Sequence, residues 1–340
     1  RSTPSRDDKR KEEAFVMTEN TEKKDKLLLS VRDIVVRYET KDEVVEAVNG
    51  VSFDLNYGEA IGLVGETGAG KTTIARTILR ILPSPPARFV SGEIWFDGKK
   101  LNEENMKHIR GKRISMVFQD PMTALNPVKR VGWQIAEGIR FHEGISKKAA
   151  DEKAKEMLEL VGISRDRFRE YPHQFSGGMK QRVVLAIALA CSPDLLIADE
   201  PTSALDVTIQ AQVLEMIEDL QRRKNTAMIL ITHDFGVVAK SCDRVGIVYA
   251  GEIVEYGTIE QVLEQPMHPY TVGLLRAIPN MTTDVDRLSP ILGAPPDPTR
   301  LPRGCKFQPR CPHATEQCAA PVATRTMADG HQCRCCLYEG

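Results

Sequence analysis

The amino-acid sequence predicts an α/β fold with a mostly parallel central sheet, and three observations carry that expectation. The apolar run Ala60-Ile61-Gly62-Leu63-Val64 leads into the glycine-rich stretch Gly65-Glu66-Thr67-Gly68-Ala69-Gly70-Lys71-Thr72, and Ile74 to Leu79 behind it carries apolar residues at helical spacing. Two further short apolar runs, Leu195 to Ala198 and Met228 to Ile231, read as buried strands. Helical patterns precede them, Met179 to Cys191 and Gln210 to Gln221, and strands that alternate with helices imply parallel pairing.

The remaining elements follow in chain order. Residues 1–25 are rich in Lys, Glu, Asp and Thr, have almost nothing to bury and lack the apolar segment of a signal peptide, so they are read as a disordered tail. Arg1 is not a natural first residue; part of this tail is expected to be artificial, with Met17 as a candidate true beginning. From Leu27 to Phe53 the sequence alternates in strand fashion with a turn near Thr40 to Glu43, which predicts a small antiparallel sheet ahead of the glycine-rich loop. Residues from Pro121 to Tyr171 read mostly as helices, including Lys147 to Val161 with Ala150, Ala154, Met157, Leu158 and Val161 on one face. They predict an inserted helical subdomain over about 120–178. Beyond Glu264 the composition shifts to Pro-rich segments and then cysteines. That shift divides a main domain, 26–263, from a small Cys-rich C-terminal extension, 264–340.

Bulk properties narrow the function. A chain of 340 residues, 41% hydrophobic, can bury one large core or two modest ones. Its formal net charge of −1 supplies no positive field for phosphate backbones, so no nucleic-acid partner is expected. The longest apolar run, Val183 to Cys191, falls well short of the roughly 20 residues that span a bilayer, so the chain is not expected to cross a membrane. Nothing directs secretion, and the eight cysteines are therefore not read as a disulfide framework.

The glycine-rich stretch has the form of a phosphate-cradling loop opening a helix, which makes the protein a user of ATP or GTP. Its N–H groups face phosphate oxygens, Lys71 reaches the β and γ phosphates, and Thr72 is a magnesium ligand. A GTPase would normally carry an Asn-Lys-x-Asp motif to read the base, and none is visible. The strand Leu195 to Ala198 ends in Asp199-Glu200, two carboxylates pointing to opposite faces. Asp199 is placed to face magnesium and Glu200 to face the attacking water as general base.

Pro201-Thr202-Ser203-Ala204-Leu205-Asp206 follows at once, and Ser176-Gly177-Gly178-Met179 stands ahead of the acidic pair. In this order the motifs resemble those of the ATPase subunit of an ATP-binding-cassette (ABC) transporter, and the resemblance implies a P-loop NTPase core of the ABC type. Ser176, Gly177, Gly178 and Met179 match the signature loop, which in the family closes on the γ-phosphate held by a second subunit. Ser203, Ala204, Leu205 and Asp206 match the loop that follows the catalytic acid. The resemblance also implies that Tyr38 stacks on adenine, that Gly65 to Thr73 bind ATP, that Gln119 senses magnesium and the attacking water, and that His233 contacts the γ-phosphate. Thr72, Gln119 and Asp199 become the magnesium ligands. Phe175 and Met179 depart from the commoner Leu and Gln, and both occur in the peptide-importer branch.

Gln119-Asp120-Pro121-Met122-Thr123-Ala124-Leu125-Asn126-Pro127 and His268-Pro269-Tyr270-Thr271, followed by Leu274-Leu275 and Pro279, are similar to runs in ATPase subunits of dipeptide and oligopeptide importers. This resemblance covers nearly everything from Leu27 to Tyr338. It implies ATP and Mg2+ as cofactors and a peripheral place on the cytoplasmic face of the cell membrane. The implied partners are two transmembrane permease subunits, an extracytoplasmic solute-binding protein, and a second, related ATPase subunit forming a heterodimer. An importer of nickel or another solute, an exporter ATPase, and a non-transport ABC ATPase with an iron-sulfur cluster stay open as alternatives.

Six of the eight cysteines lie within the last 36 residues: Cys305, Cys311, Cys318, Cys333, Cys335 and Cys336. Four thiolates suit a [4Fe-4S] cluster or structural zinc equally well, and the spacing does not choose between them. Gly304, Phe307, Pro309-Arg310 and Pro312 resemble the extension of the peptide-importer branch, where four such cysteines hold a [4Fe-4S] cluster. Matching His331 and Leu337-Tyr338 to the family places the ligands at Cys305, Cys311, Cys318 and Cys335, with Cys333 and Cys336 as competitors for the fourth place. A structural or at most redox-sensing role is expected, because no path from this segment to the ATP chemistry is readable. Cys191 and Cys242 read as buried thiols.

Overall fold

The computed structural model describes residues 26–202, 207–277 and 291–338. The tail 1–25, the loop Ser203 to Asp206 and Pro279 lie outside the described residues. Alternating apolar residues build two long strands, β1 (Leu27–Glu39) and β2 (Val44–Asn56), paired antiparallel about the predicted turn. β1 runs unbroken through a register shift between Val31 and Ile34, where Asp33 adopts φ 44°. After β3 (Ala60–Val64), β4 (Ala87–Phe96) pairs with the other edge of β1, and β5 (Lys99–Lys100) completes a four-stranded sheet in the order β2-β1-β4-β5.

The second sheet carries the candidate site residues at its strand ends. Its strands are β3 with β6 (Ile114–Val117), β7 (Leu195–Asp199), β8 (Ala227–Thr232), β9 (Arg244–Tyr249), β10 (Glu252–Thr258), β11 (Arg325–Thr326) and β12 (Gln332–Cys333), in the order β11-β12-β10-β9-β3-β8-β7-β6. From β9 to β6 every pairing is parallel. β3, β7 and β8 are buried at every position, which is why they read as continuous apolar runs. Ligands of such sheets bind beyond the carboxyl ends of the strands. The glycine-rich loop, Gln119, Glu200 and His233 follow β3, β6, β7 and β8 respectively.

Helices cover this sheet. Helix Lys71–Ile78 buries Ile74, Ala75 and Ile78 between the sheets. Within 120–178, where the sequence predicts an inserted helical subdomain, stand helices Val131–Glu143 and Lys147–Leu160, and helix Gly177–Leu189 follows. Ala150, Ala154 and Leu158 face Val131, Ile135, Ile139, Val183 and Leu185 in one apolar cluster, and Met157 sits at its margin. Ser146 caps the second of these helices by accepting from Ala149 N–H at 3.3 Å. Helices predicted from Met179 and Gln210 begin earlier, at Gly177 and Val207, because Ser176 caps the former and periodicity alone does not mark first turns.

The last two strands return to the main sheet: β12 pairs antiparallel with β10, Glu255 opposite Cys333, and covers that edge. Glu255 is buried there and fully engaged. It accepts from Met267 N–H and His268 N–H, each at 2.8 Å, and lies 3.0 Å from His331 Nε2. Among the described residues, no helix is long and apolar enough to cross a membrane.

Candidate nucleotide-hydrolysis site

The loop between β3 and helix Lys71–Ile78 depends on missing side chains at two positions. A Cβ on Gly65 would stand 2.1 Å from the Val248 carbonyl oxygen, and one on Gly70, at φ 103°, would stand 2.4 Å from that of Ala47. Only glycine lets the loop pass so close to neighbouring backbone. The Gly251 N–H donates to Ala69 C=O at 2.8 Å, which anchors the loop from the other side. Lys71 is buried, and its Nζ donates to the carbonyls of Gly65 and Glu66 at 2.7 and 3.0 Å. Burial pulls its pKa down, while the charges of Glu200, Asp199 and Glu66 pull against that shift.

Facing the loop are the acids. Thr72 Oγ1 donates to Asp199 Oδ1 at 3.1 Å, so a hydroxyl and a carboxylate meet as hard oxygen donors at the head of the helix. Burial raises the Asp199 pKa; the Thr72 hydrogen bond opposes the shift and the Glu200 charge adds to it. Glu200 follows β7 at φ 46°, fixed by its N–H donating to Ile231 C=O at 2.8 Å. Gln119 Nε2 donates to its Oε2 at 2.7 Å, and His233 Nδ1 lies 3.6 Å from its Oε1. Residues from the ends of β6, β7 and β8 thus meet at one carboxylate.

The cleft around these groups has a volume of about 490 Å³, within the usual size of a small-molecule site. Tyr38 lines it at one end, 3.4 Å from Thr73 Oγ1 through its hydroxyl. Sequence reasoning missed the rest of this wall. Pro295, Pro296, Pro298 and Leu301 line the cleft, and Pro298 C=O accepts from Glu46 N–H at 2.9 Å. Tyr270 Oη accepts from Glu66 N–H at 3.0 Å, and Arg310 pairs with the Glu66 carboxylate. Tyr270 and Arg310 both fall in runs similar to the importer branch, but nothing local ties either to Glu66, which stands 244 residues before Arg310.

Comparison with known proteins decides the family. Residues 48–203 match the ABC transporter family and residues 254–318 the oligopeptide/dipeptide transporter C-terminal region. The oligopeptide transport ATP-binding protein OppD of Bacillus subtilis (strain 168) is 50% identical over 293 residues, covering 84% of this chain and 82% of that protein. The dipeptide transport ATP-binding protein DppD of the same organism is 48% identical over 318 residues, covering 92% and 95%. The chain belongs to the ATP-binding subunits of oligopeptide and dipeptide ABC transporters. A bacterial ABC transporter cassette solved as a dimer superposes with a TM-score of 0.61 at 25% identity, covering 68% of this chain and 99% of that one.

Within this ABC ATPase subunit, the Ser176 loop lies apart from the chain's own cleft. Ser176 Oγ accepts from Met179 N–H at 3.4 Å and caps helix Gly177–Leu189, while Ser176 and Gly177 are exposed and absent from the described cleft lining. Two positions along that helix, Gln181 Nε2 donates to Pro201 C=O and ties the helix to the residue after Glu200. Ser203, Ala204, Leu205 and Asp206, expected to continue from there, lie outside the described residues.

The expected ligand set Cys305, Cys311, Cys318 and Cys335 does not stand as a cage. Among the described residues, no three His, Cys, Asp or Glu side chains are arranged to hold a metal ion. Cys336, instead, has its Sγ 3.0 Å from that of Cys318, and Cys305 packs against this pair. Burial pushes the Cys305 and Cys335 thiols up to about 11. Cys191 and Cys242 are half-buried, and burial raises both thiols.

Proposed function

We propose that this chain hydrolyses ATP to drive import of dipeptides or oligopeptides through two membrane-spanning permease subunits fed by an extracytoplasmic solute-binding protein. The observation that carries the catalytic part is Glu200, held at 2.7 Å by Gln119 where three parallel strands end opposite the glycine-rich loop. In this reading the loop and Lys71 bind the phosphates, Tyr38 meets the adenine, and Thr72, Asp199 and Gln119 hold Mg2+, which supplies charge neutralisation on the phosphates. Glu200 takes a proton from water as its oxygen bonds the γ-phosphorus and the bond to the β-phosphate oxygen breaks, giving ADP and phosphate. His233, exposed and beside Glu200, contacts the γ-phosphate in the same reading.

The exposed Ser176 helix terminus supports a two-subunit site, since an N-terminus aimed at solvent is an anion site waiting for a facing surface. Its occupant is the ATP of a second, related ATPase subunit in head-to-tail contact. The cassette that superposes on this chain was itself solved as a dimer. Peripheral attachment at the cytoplasmic membrane face, through the permease subunits, completes the reading.

For the cysteines the reading is a thiolate-bound group, a [4Fe-4S] cluster or zinc, supported by the proximity of Cys305, Cys318 and Cys336 in a short Pro-rich segment. The present sulfur positions do not cradle it, so no step of hydrolysis is routed through it. Iron, sulfide and zinc counted in anaerobically purified protein decide the matter, and the absence of all three overturns it.

The transport reading is tested in proteoliposomes holding the chain with the membrane subunits that co-purify with it. MgATP with peptide-loaded binding protein should drive accumulation of labelled peptide. Stimulation by nickel and not by peptide would move the substrate to the second solute class, and co-sedimentation with ribosomes without membrane subunits would overturn transport.

A further inference from the structure

One arginine of the C-terminal extension grips the phosphate loop. Arg310 Nη1 and Nη2 donate to Glu66 Oε2 and Oε1 at 2.7 and 3.0 Å, a two-pronged pair from a side chain only 5% exposed. Its Nε donates to Leu292 C=O at 3.1 Å and its Nη1 to Tyr249 Oη at 3.4 Å. The guanidinium lies 5.9 Å from the ring centroids of both Tyr249 and Phe307. Those rings pack against Tyr270 with centroids 4.5 and 5.4 Å away, and Tyr270 Oη accepts the Glu66 N–H. Side chain and backbone of Glu66 are both held from outside the loop.

Glu66 is an awkward residue for a polyanion site. It lines the cleft, and its charge reaches Lys71, the cation that faces the phosphates. An unpaired carboxylate there repels the triphosphate and competes for Lys71. We propose that Arg310 is a positioning residue for ATP: by neutralising and orienting Glu66 it keeps the loop ready for phosphate, and so makes the C-terminal extension part of the nucleotide site. The Pro295 to Leu301 wall and its hydrogen bond to Glu46 are a second contact of the same extension with the same cleft. The inference rests on the assignment of Gly65 to Thr72 as the phosphate loop.

The test uses the full chain in its membrane complex and compares Arg310→Ala, Arg310→Ala with Glu66→Gln, and Lys71→Ala. Arg310→Ala should raise the KM for ATP and the Kd for a fluorescent ATP analogue about tenfold, with kcat within about threefold, as expected for exposing one charge beside bound phosphates. Adding Glu66→Gln should return both constants to within about threefold of the native values, a rescue that loss of packing alone does not allow. Arg310→Lys, which keeps the charge but not the fork, should weaken binding by about threefold, and serves if Arg310→Ala fails to fold. Native affinity in Arg310→Ala or Arg310→Lys, or a double variant no tighter than Arg310→Ala, overturns the inference. Lys71→Ala separates the two readings: if it binds ATP as the native chain does, the phosphate-loop assignment itself is wrong.

Discussion

Replacing Glu200 by Gln isolates proton transfer from everything else the residue does. Glutamine has the same shape, and its oxygen can still accept from Gln119 Nε2, the 2.7 Å bond that holds Glu200 in place. Its amide nitrogen then faces His233 Nδ1, 3.6 Å from the present Oε1, where a neutral imidazole accepts. The backbone at φ 46° suits Gln no better or worse than Glu, so stored strain is unchanged. One negative charge leaves the neighbourhood of Lys71 and Asp199, so ATP affinity should hold or tighten. Only the base is lost, and loss of a positioned base slows turnover by about 10²–10⁴-fold. That is about 3–5 kcal/mol on the barrier. The assay is phosphate release by the assembled transporter at saturating MgATP, beside binding of a fluorescent nucleotide. A turnover rate within about threefold of native would remove Glu200 from the base role, and weakened binding with unchanged kcat would make it a substrate ligand instead.

Three other perturbations bear on separate parts of the molecule. Ser176→Ala should cost about 1 kcal/mol of stability through loss of the cap, and should cut turnover of the assembled complex while leaving ATP binding by the isolated chain unchanged; equal turnover would deny the loop a place opposite the partner's ATP. Tyr38→Ala should weaken ATP binding by about tenfold through lost base stacking, and an affinity unchanged for ATP but altered for inorganic triphosphate would show the ring acts elsewhere. His268 is buried with Nδ1 accepting from Tyr270 N–H at 3.1 Å, and burial pushes its pKa down to about 3. A depressed histidine pKa means that the folded state binds fewer protons, so its contribution is intact above about pH 6.5 and falls by about 1.4 kcal/mol per pH unit as pH drops toward 3. Denaturant unfolding at pH 7.5 and 5.0 should show that loss, about 2 kcal/mol, and His268→Asn, which keeps an acceptor for the cap, should remove it; identical pH slopes in the two proteins would place the acid sensitivity elsewhere.

What was legible in the sequence was local. The strand, glycine loop and helix from Ala60 to Leu79 are contiguous, and their chemistry is written in adjacent residues. Asp199-Glu200 was readable for the same reason: a fully buried strand, β7, announces itself by composition, and acids at its end have few roles. Ala150, Ala154 and Leu158 kept helical period and are buried together. The first turn of helix Gly177–Leu189 was misplaced because Ser176 marks it through a single cap bond, not through periodicity.

What was not legible depended on chain ends meeting. No pattern of spacing links Arg310 to Glu66, Pro298 to Glu46 or Cys333 to Glu255, since each contact forms only when the segment after Glu264 folds back onto the β10 edge and the cleft. Composition marked that segment as a separate piece, and its sparse apolar content explains why: among its described residues Tyr270, Phe307, Cys318, Val322, Cys333, Cys335 and Cys336 are buried, too few to form a core of their own. A segment so poor in core must borrow order from what it touches. Here it touches Glu255, fully buried and engaged by Met267, His268 and His331, and it touches the glycine-rich loop through Arg310. Arg310 is followed directly by Cys311, so the residue that holds Glu66 shares a short turn, Gln308–Arg310, with a cysteine of the proposed ligand set. The sequence shows no readable path from the cysteines to the ATP chemistry, and what the folded chain adds is that Arg310 brings the turn beside Cys311 against Glu66 of the glycine-rich loop.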